Sequence, residues 1–280
     1  MPTDPTVHRE TFRRLHVQGC FVMPNPWDVG SARALQHLGF PALATTSAGL
    51  AFSMGLPDNG VPRAAVLEHV RSIASSVDVP VNADFESGFA ADAEGVGESV
   101  RLCIATGVAG LSIEDATGDP GAPLFELPVA VERVRAARAA IDSSGAGVVL
   151  TARAECHLVN HPEPLRESIR RLEAYAAAGA DCLYAPGLRT SEAVIAVVKA
   201  VSPRPVNVLA GATGFSVGQL RDLGVRRISV GAALARTAWG AFLRAAEEIA
   251  GKGTFQGFAD AAPFPRLNAF FTEDARRRAQ

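Results

Sequence analysis

Cysteine is scarce and scattered. Cys20, Cys103, Cys156 and Cys182 are widely separated and form no C-x-x-C pair. That spacing argues against a disulfide framework or a zinc site and reads the four as buried free thiols. Long apolar runs are missing too: no segment reaches 18 apolar residues without Arg, Asp, Gly or Pro, so no membrane span is expected. The opening stretch MPTDPTVHRETFRRLHVQG lacks the apolar core of a signal peptide, and a cytoplasmic enzyme is the expectation. Charge of one sign is absent, with a net charge of -2 and a pI near 6.3, which gives no global pull toward nucleic acid or an anionic membrane. Gly211-Ala212-Thr213-Gly214 lacks the lysine and the spacing of a phosphate-binding loop and reads as a turn at the mouth of the fold. No Pro/Gly/Ser linker or charge block divides the chain.

What is present is a rhythm. Short apolar runs, CFVMP (20–24), PALATT (41–46), PVNADF (80–85), AGLSIED (109–115), GVVLTAR (147–153), DCLYAP (181–186), PVNVLAG (205–211) and RRISVG (226–231), alternate with segments of helical period. Gly39, Gly107, Gly179 and Gly224 stand where helices should stop and new strands begin. Eight βα units predict a (β/α)₈ TIM-type barrel over residues 1–250. The remaining residues, 251–280, break the pattern. Phe255, Phe258, Phe264, Phe270 and Phe271 are too many aromatics for a free tail, which predicts burial against this subunit or a neighbour and hence an oligomer.

Parallel barrels build their sites at the C-terminal ends of the strands. There the sequence places Asp84 and Glu86 after the third strand and Glu114 with Asp115 after the fourth. The loop after the second strand, SMGLPD, adds Asp58. Converging carboxylates repel one another unless a cation neutralises them, and Mg²⁺ suits a site with one or two direct carboxylates and several waters. Asp58, Asp84, Glu86 and Glu114 are therefore the candidate metal set, with Mn²⁺ as the alternative ion. Arg153 after the fifth strand offers a planar fork for a substrate carboxylate, unless it pairs with Glu155 or Glu114. The run TTSAG (45–49) supplies small residues and free amides for a close approach by an anion. His157, His161 and Cys156 are weaker candidates for acid, base or thiol chemistry.

These residues resemble the isocitrate lyase and phosphoenolpyruvate mutase superfamily from about residue 20 to residue 245. The similarity rests on PNPWDVGSARAL (24–35), TTSAGLAFSMGLPD (45–58), PVNADFESGF (80–89), GVAGLSIEDATG (107–118), LTARAE (150–155), AGADCLYAPG (178–187) and ISVGAALARTAWGAF (228–242). It looks most like the carboxyvinyl-carboxyphosphonate phosphorylmutase branch. The resemblance implies a Mg²⁺-dependent barrel acting on 2-oxo acids through an enolpyruvate-like species, with a C-terminal helix exchanged between subunits in a dimer of dimers. It maps the metal set onto Asp58, Asp84, Glu86 and Glu114, with glutamate at position 86 where the family usually has aspartate. Asp58, Glu114 and Arg153 become the catalytic set, and Thr46, Ser47, Ala48, Asp84, Arg153 and Gly211 the substrate contacts.

Departures from the family bear on the reaction. The lyases' Lys-Lys/Arg-Cys-Gly-His gating loop is replaced by ATGDPGAPLFELP (116–128), which has no lysine, cysteine or histidine. Pro186 stands where lyases have glutamate and mutases histidine, and Gly211 where many members have asparagine. The expected function is a carbon–carbon lyase or decarboxylase on a small 2-oxo or 2-hydroxy di- or tricarboxylate. Carbon–phosphorus chemistry on phosphonopyruvate and a non-catalytic 2-oxo acid binder are the alternatives.

Overall fold

The computed structural model describes residues 4–211 and 214–279. Strands form at all eight expected runs: β1 Phe21–Met23, β2 Leu43–Ala44, β3 Val81–Asp84, β4 Gly110–Glu114, β5 Val149–Arg153, β6 Cys182–Tyr184, β7 Val206–Leu209 and β8 Arg227–Ser229. All are parallel, in the order β1-β8-β7-β6-β5-β4-β3-β2. The Ala44 amide donates to the Pro24 carbonyl at 3.1 Å across the remaining gap, so the barrel is nearly closed. The turn expected at Gly211–Gly214 includes residues 212–213, which lie outside the described residues.

The helices between strands follow local capping chemistry. Asp28 caps α2 (Val29–His37) in a reciprocal box with Ser31, and Asp92 and Thr190 cap α5 (Ala93–Ile104) and α8 (Ser191–Val201). The expected stop glycines take the left-handed turn, with φ of 85° at Gly39 and 100° at Gly179. α4 (Arg63–Ala74), α6 (Leu127–Ser144), α7 (Pro164–Ala177) and α9 (Val217–Asp222) complete the outer layer. Their apolar stripes pack on the outward faces of the strands in one core that includes Val66, Val100, Val134, Leu172 and Val197.

Two helices were not expected from the sequence. α1 (Pro5–Leu15) is mostly polar, yet it puts Phe12 into the base of the barrel with Phe21, Met23, Ala42, Ala44, Ala109 and Val149. Arg9 fastens it by donating to the carbonyls of Val108 and Ile104. α3 (Ser47–Ser53) starts within TTSAG, the run expected to offer small residues and free amides, and the Thr46 side chain caps it by accepting from the Gly49 amide.

The inward faces are unusual for this architecture, whose interior layers are normally filled by branched apolar residues. Here Asn82, Ser112, Thr151, Asn207 and Arg227 are all buried within the strands. Small and polar side chains fill less of the interior, and a cavity remains above the plug formed by Phe12.

Contacts divide the chain at Ala232/Ala233, earlier than the expected boundary at residue 250. The C-terminal unit holds α10 (Ala233–Lys252), a single 3₁₀ turn at Gln256–Phe258 and α11 (Phe264–Arg278). Glu248 ties its turn by accepting from the amides of Gln256 and Gly257. Within this unit Phe255, Phe258, Phe264 and Phe271 are exposed, and Phe270 is part-buried. Among the described residues no helix is long and apolar enough to cross a membrane.

Candidate active site

A cavity of about 360 Å³ opens at the C-terminal ends of the strands. Its lining includes Thr46, Ser47, Ala48, Asp58, Asp84, Glu114 and Arg153, which the sequence had singled out. Glu86 and Gly211 are not in the lining. Gly211 is exposed with open space around its Cα, so the substrate contact expected of it finds no support in its position.

Arg153 organises the site. Its Nη1 donates to Asp84 Oδ1 at 2.8 Å and lies 3.0 Å from Glu114 Oε2, while its Nε donates to Glu155 Oε1 at 2.9 Å. The guanidinium also stacks over the Tyr184 ring, 5.1 Å from its centroid. Of the two readings of this arginine, the ion pair is the one seen: Arg153 is turned toward carboxylates of its own chain. The second oxygen of Asp84 accepts from both the backbone N–H and the hydroxyl of Ser47, each at 3.0 Å. The amide comes from the first turn of α3, so the helix start that holds Asp84 follows directly from the Thr46 cap.

Three acids share one cation in this nest, and they cannot all be ionised cheaply. Burial pushes Glu114 well above the usual carboxylate range; Arg153 opposes this, while Glu155, Asp84 and Glu86 reinforce it. Glu155 is raised as well, by burial against the pull of Arg153. Arg153 itself is held more firmly protonated, because Glu114, Glu155 and Asp84 outweigh its burial.

Glu86 sits just outside the cavity in a left-handed backbone conformation, φ 47°, that a side chain adopts only under constraint from its surroundings. Its carbonyl accepts the Glu114 amide at 2.9 Å, which fixes that turn against β4. Burial, then Asp84 and Asp58, push its carboxyl up to about 7. Asp58 lies on the exposed rim, where partial desolvation and the Asp84 carboxylate raise it in turn. The candidate metal acids therefore sense one another, as a cation-binding cluster must. Among the described residues, however, no three His, Cys, Asp or Glu side chains form a ready cage for an ion. Arg153 occupies the position between Asp84 and Glu114 that would complete one.

A second layer of polar residues sets this geometry. Asp115 accepts from the Glu155 amide, from Arg171 and from the Tyr175 hydroxyl, and its carbonyl accepts from Phe125. Arg133 donates to the carbonyls of Ser87, Ala90 and Ala91 and lies over the Phe125 ring at 4.2 Å, joining the loop after β3 to the loop after β4. That loop is tied to itself: Ala116 bridges Leu124, and the Thr117 hydroxyl donates to the Ala122 carbonyl at 2.6 Å.

His157 and His161 lie away from the cavity lining, and burial pushes the Cys156 thiol up to about 11, so these weaker candidates bring no reactive group to the site. Glu155 does line it, as do Asn25, Tyr184, Asn207, Arg227 and Ser229, which the reading of strand ends passed over. Their signal was available in the alternation of two inside the strands, where 82 and 84, 112 and 114, 151 and 153, 182 and 184, and 227 and 229 share a face.

An eight-stranded parallel barrel with polar and charged residues gathered at the C-terminal ends of its strands is the architecture of the barrel enzymes. Within that class the chain belongs to the phosphoenolpyruvate phosphomutase family, whose model matches residues 12–250, in the isocitrate lyase and phosphoenolpyruvate mutase superfamily. A crystal structure of a candidate lyase/mutase from Burkholderia cenocepacia J2315 is similar over 96% of this chain and 97% of its own, at 46% identity and a TM-score of 0.92. An oxaloacetate decarboxylase of Paraburkholderia xenovorans is 31% identical over 70% of this chain and 67% of its own. A phosphonopyruvate hydrolase solved with oxalate and Mg²⁺ is 25% identical, with a TM-score of 0.83 over 97% of each chain, and a phosphoenolpyruvate phosphomutase of Streptomyces platensis subsp. rosaceus is 26% identical, with a TM-score of 0.81 over 97% of each chain. The family's named members are enzymes, among them lyases, mutases, decarboxylases and hydrolases.

Proposed function

We propose that this protein is a Mg²⁺-dependent lyase that removes a carbon fragment, CO₂ in the simplest case, from a small 2-oxo or 2-hydroxy di- or tricarboxylate. The observation that carries this reading is the cluster of Asp84, Glu114 and Glu155 around Arg153 in one cavity. The donor set is all oxygen, the choice of a hard cation, and Mg²⁺ needs only one or two direct carboxylates with waters completing its shell. Asp84 would hold such an ion directly, with Asp58, Glu86 and Glu114 as the further acids that would face its waters. When bound, the ion would supply Lewis-acid polarisation of a 2-oxo group.

The chain's own residues do the rest. Arg153, which lines the cavity, orients the substrate carboxylate with its planar guanidinium. Ser47 keeps Asp84 in place through its amide and hydroxyl. Glu155 lines the cavity, and burial raises its carboxyl against the pull of Arg153; it relays a proton from solvent to the carbon left electron-rich by loss of CO₂. This route needs no thiol acid, which accords with the loop at 116–128.

The test is pyruvate release from oxaloacetate, 2-methylisocitrate and related acids with and without Mg²⁺, alongside calorimetry of oxalate binding. Mg²⁺-dependent turnover on one of these acids, lost in Asp84→Ala, is expected. Oxalate binding with no turnover on the panel would leave a binding protein in its place. Phosphate or phosphoenolpyruvate formed from phosphonopyruvate, seen by phosphorus NMR, would replace it with carbon–phosphorus chemistry.

A further inference from the structure

Beneath the acidic cluster lies a buried cation that the chemistry above does not use. Arg227 is 2% exposed, lines the same cavity, and crosses the barrel interior from β8 to β5. Its Nε donates to Asn207 Oδ1 and its Nη2 to Thr151 Oγ1, both at 2.9 Å, while its Nη1 is 3.3 Å from His16 Nε2. The other ring nitrogen of His16 lies 2.7 Å from the Phe12 carbonyl, an obligate acceptor. Nδ1 therefore carries the proton, and Nε2 is a neutral acceptor for Arg227.

All three partners are uncharged, and among the described residues Arg227 makes no salt bridge. A guanidinium has five N–H groups, so two remain after these bonds. Removing an unbalanced charge from water costs several kcal/mol, which makes such an arrangement a poor device for stability alone. The cavity lining holds a second unfilled group: Asn82, 3% exposed, has a buried Oδ1 with no hydrogen-bond donor.

We propose that Arg227 forms a second anion subsite at the floor of the cavity, which takes the distal carboxylate of a substrate whose 2-oxo acid end lies at Arg153. Thr151, to which Arg227 is bonded, is two residues before Arg153 on β5, a rise of roughly 7 Å along the strand. A four- or five-carbon diacid spans that separation, and a three-carbon monoacid does not. The cavity, at about 360 Å³, is larger than a three-carbon acid requires. A hydroxyl or water beside the bound carboxylate would satisfy Asn82. Within the di- and tricarboxylates proposed above, this gives the second carboxylate a specific partner in Arg227. This assignment rests on the proposed function for its upper half only.

The experiment compares 2-oxoglutarate with 2-oxovalerate, which share a five-carbon chain and differ in the distal carboxylate, by calorimetry on the Mg²⁺-loaded protein. Oxalate, too short to reach the floor, is the control. Asn207→Asp places a fixed carboxylate on Arg227 with almost no change of volume, and Arg227→Gln removes the charge. The expected result is at least tenfold preference for 2-oxoglutarate in the unaltered protein, lost in both variants while oxalate affinity stays within twofold. Chloride-35 NMR line broadening on the metal-free protein reads the floor alone and should fall in both variants. Chloride broadening that depends on Arg227, with no diacid preference, would show an inorganic anion site and overturn the substrate assignment. Neither effect depending on residues 207 and 227 would overturn the subsite altogether. Failure of oxalate to bind would instead strike the proposed function, leaving the chloride result to judge Arg227.

Discussion

The carboxylate of Asp115 accepts the backbone N–H of Glu155 at 2.8 Å, so the residue following the metal candidate Glu114 fixes the strand end that carries the proposed proton donor. The same carboxylate accepts from Tyr175 at 2.6 Å and Arg171 at 3.0 Å, and it is 2% exposed. Replacing it leaves the buried Tyr175 hydroxyl without its acceptor and strips Arg171 of one of its two carboxylates, the other being Glu167. Asp115→Ala should lower stability by about 3–5 kcal/mol in urea unfolding. Tyr175→Phe, which removes one donor and keeps the ion pair, should cost no more than about 1.5 kcal/mol. Equal losses would show that the network is not centred on Asp115.

Arg153 uses two nitrogens to reach three carboxylates, and a lysine has one. Arg153→Lys should fold, because a cation still balances the nest, but it should weaken Mg²⁺-dependent oxalate binding by about tenfold and turnover on the order of a hundredfold. Calorimetry and initial rates separate the two effects. A lysine variant with unaltered affinity and rate would remove Arg153 from substrate binding.

Gly110 marks where α1 enters the base of the barrel. A Cβ there would lie 2.5 Å from the Phe12 ring and 2.7 Å from Asn82 Oδ1. Gly110→Ala should therefore cost about 1–3 kcal/mol through overpacking. In the double variant with Phe12→Leu, thermal unfolding should recover part of that loss.

His16 gives a pH dependence to stability. Burial, with Arg227 beside it, holds its pKa down to about 3, whereas the ordinary value is 6.5. Below 6.5 the unfolded chain takes up a proton that the folded chain refuses. The stability linked to His16 is thus complete above that pH and falls as pH drops toward 3, by at most about 1.4 kcal/mol per unit. His16→Gln should flatten this slope. Parallel stability curves for the two proteins between pH 7.5 and pH 5, a window set by roughly these values, would refute the assignment.

Legibility of the fold varied with how local its signals were. Strand positions and helix stops were readable because alternating apolar runs and left-handed glycines are written in neighbouring residues. α1 escaped notice because its sequence, PTVHRETFRRL, is mostly polar, and its key contact, Phe12, is a single residue answering strands far along the chain. α3 escaped notice because TTSAG has the small-residue composition of a turn, and only the Thr46 cap makes it a helix start.

For the site, sequence by itself determined which residues could meet. In a parallel barrel every strand end opens on the same face, so Asp84, Glu114 and Arg153 had to converge once eight βα units were counted. How they converge was left to the tertiary structure. Side-chain direction decided that Arg153 turns back onto Asp84, Glu114 and Glu155, and that Glu86 lies behind the lining. Packing across the barrel decided that Arg227, from the last strand, lies beneath them bonded to Thr151 of β5 and His16 after α1. Those partners are 76 and 211 positions away, and no local pattern encodes a meeting over such distances.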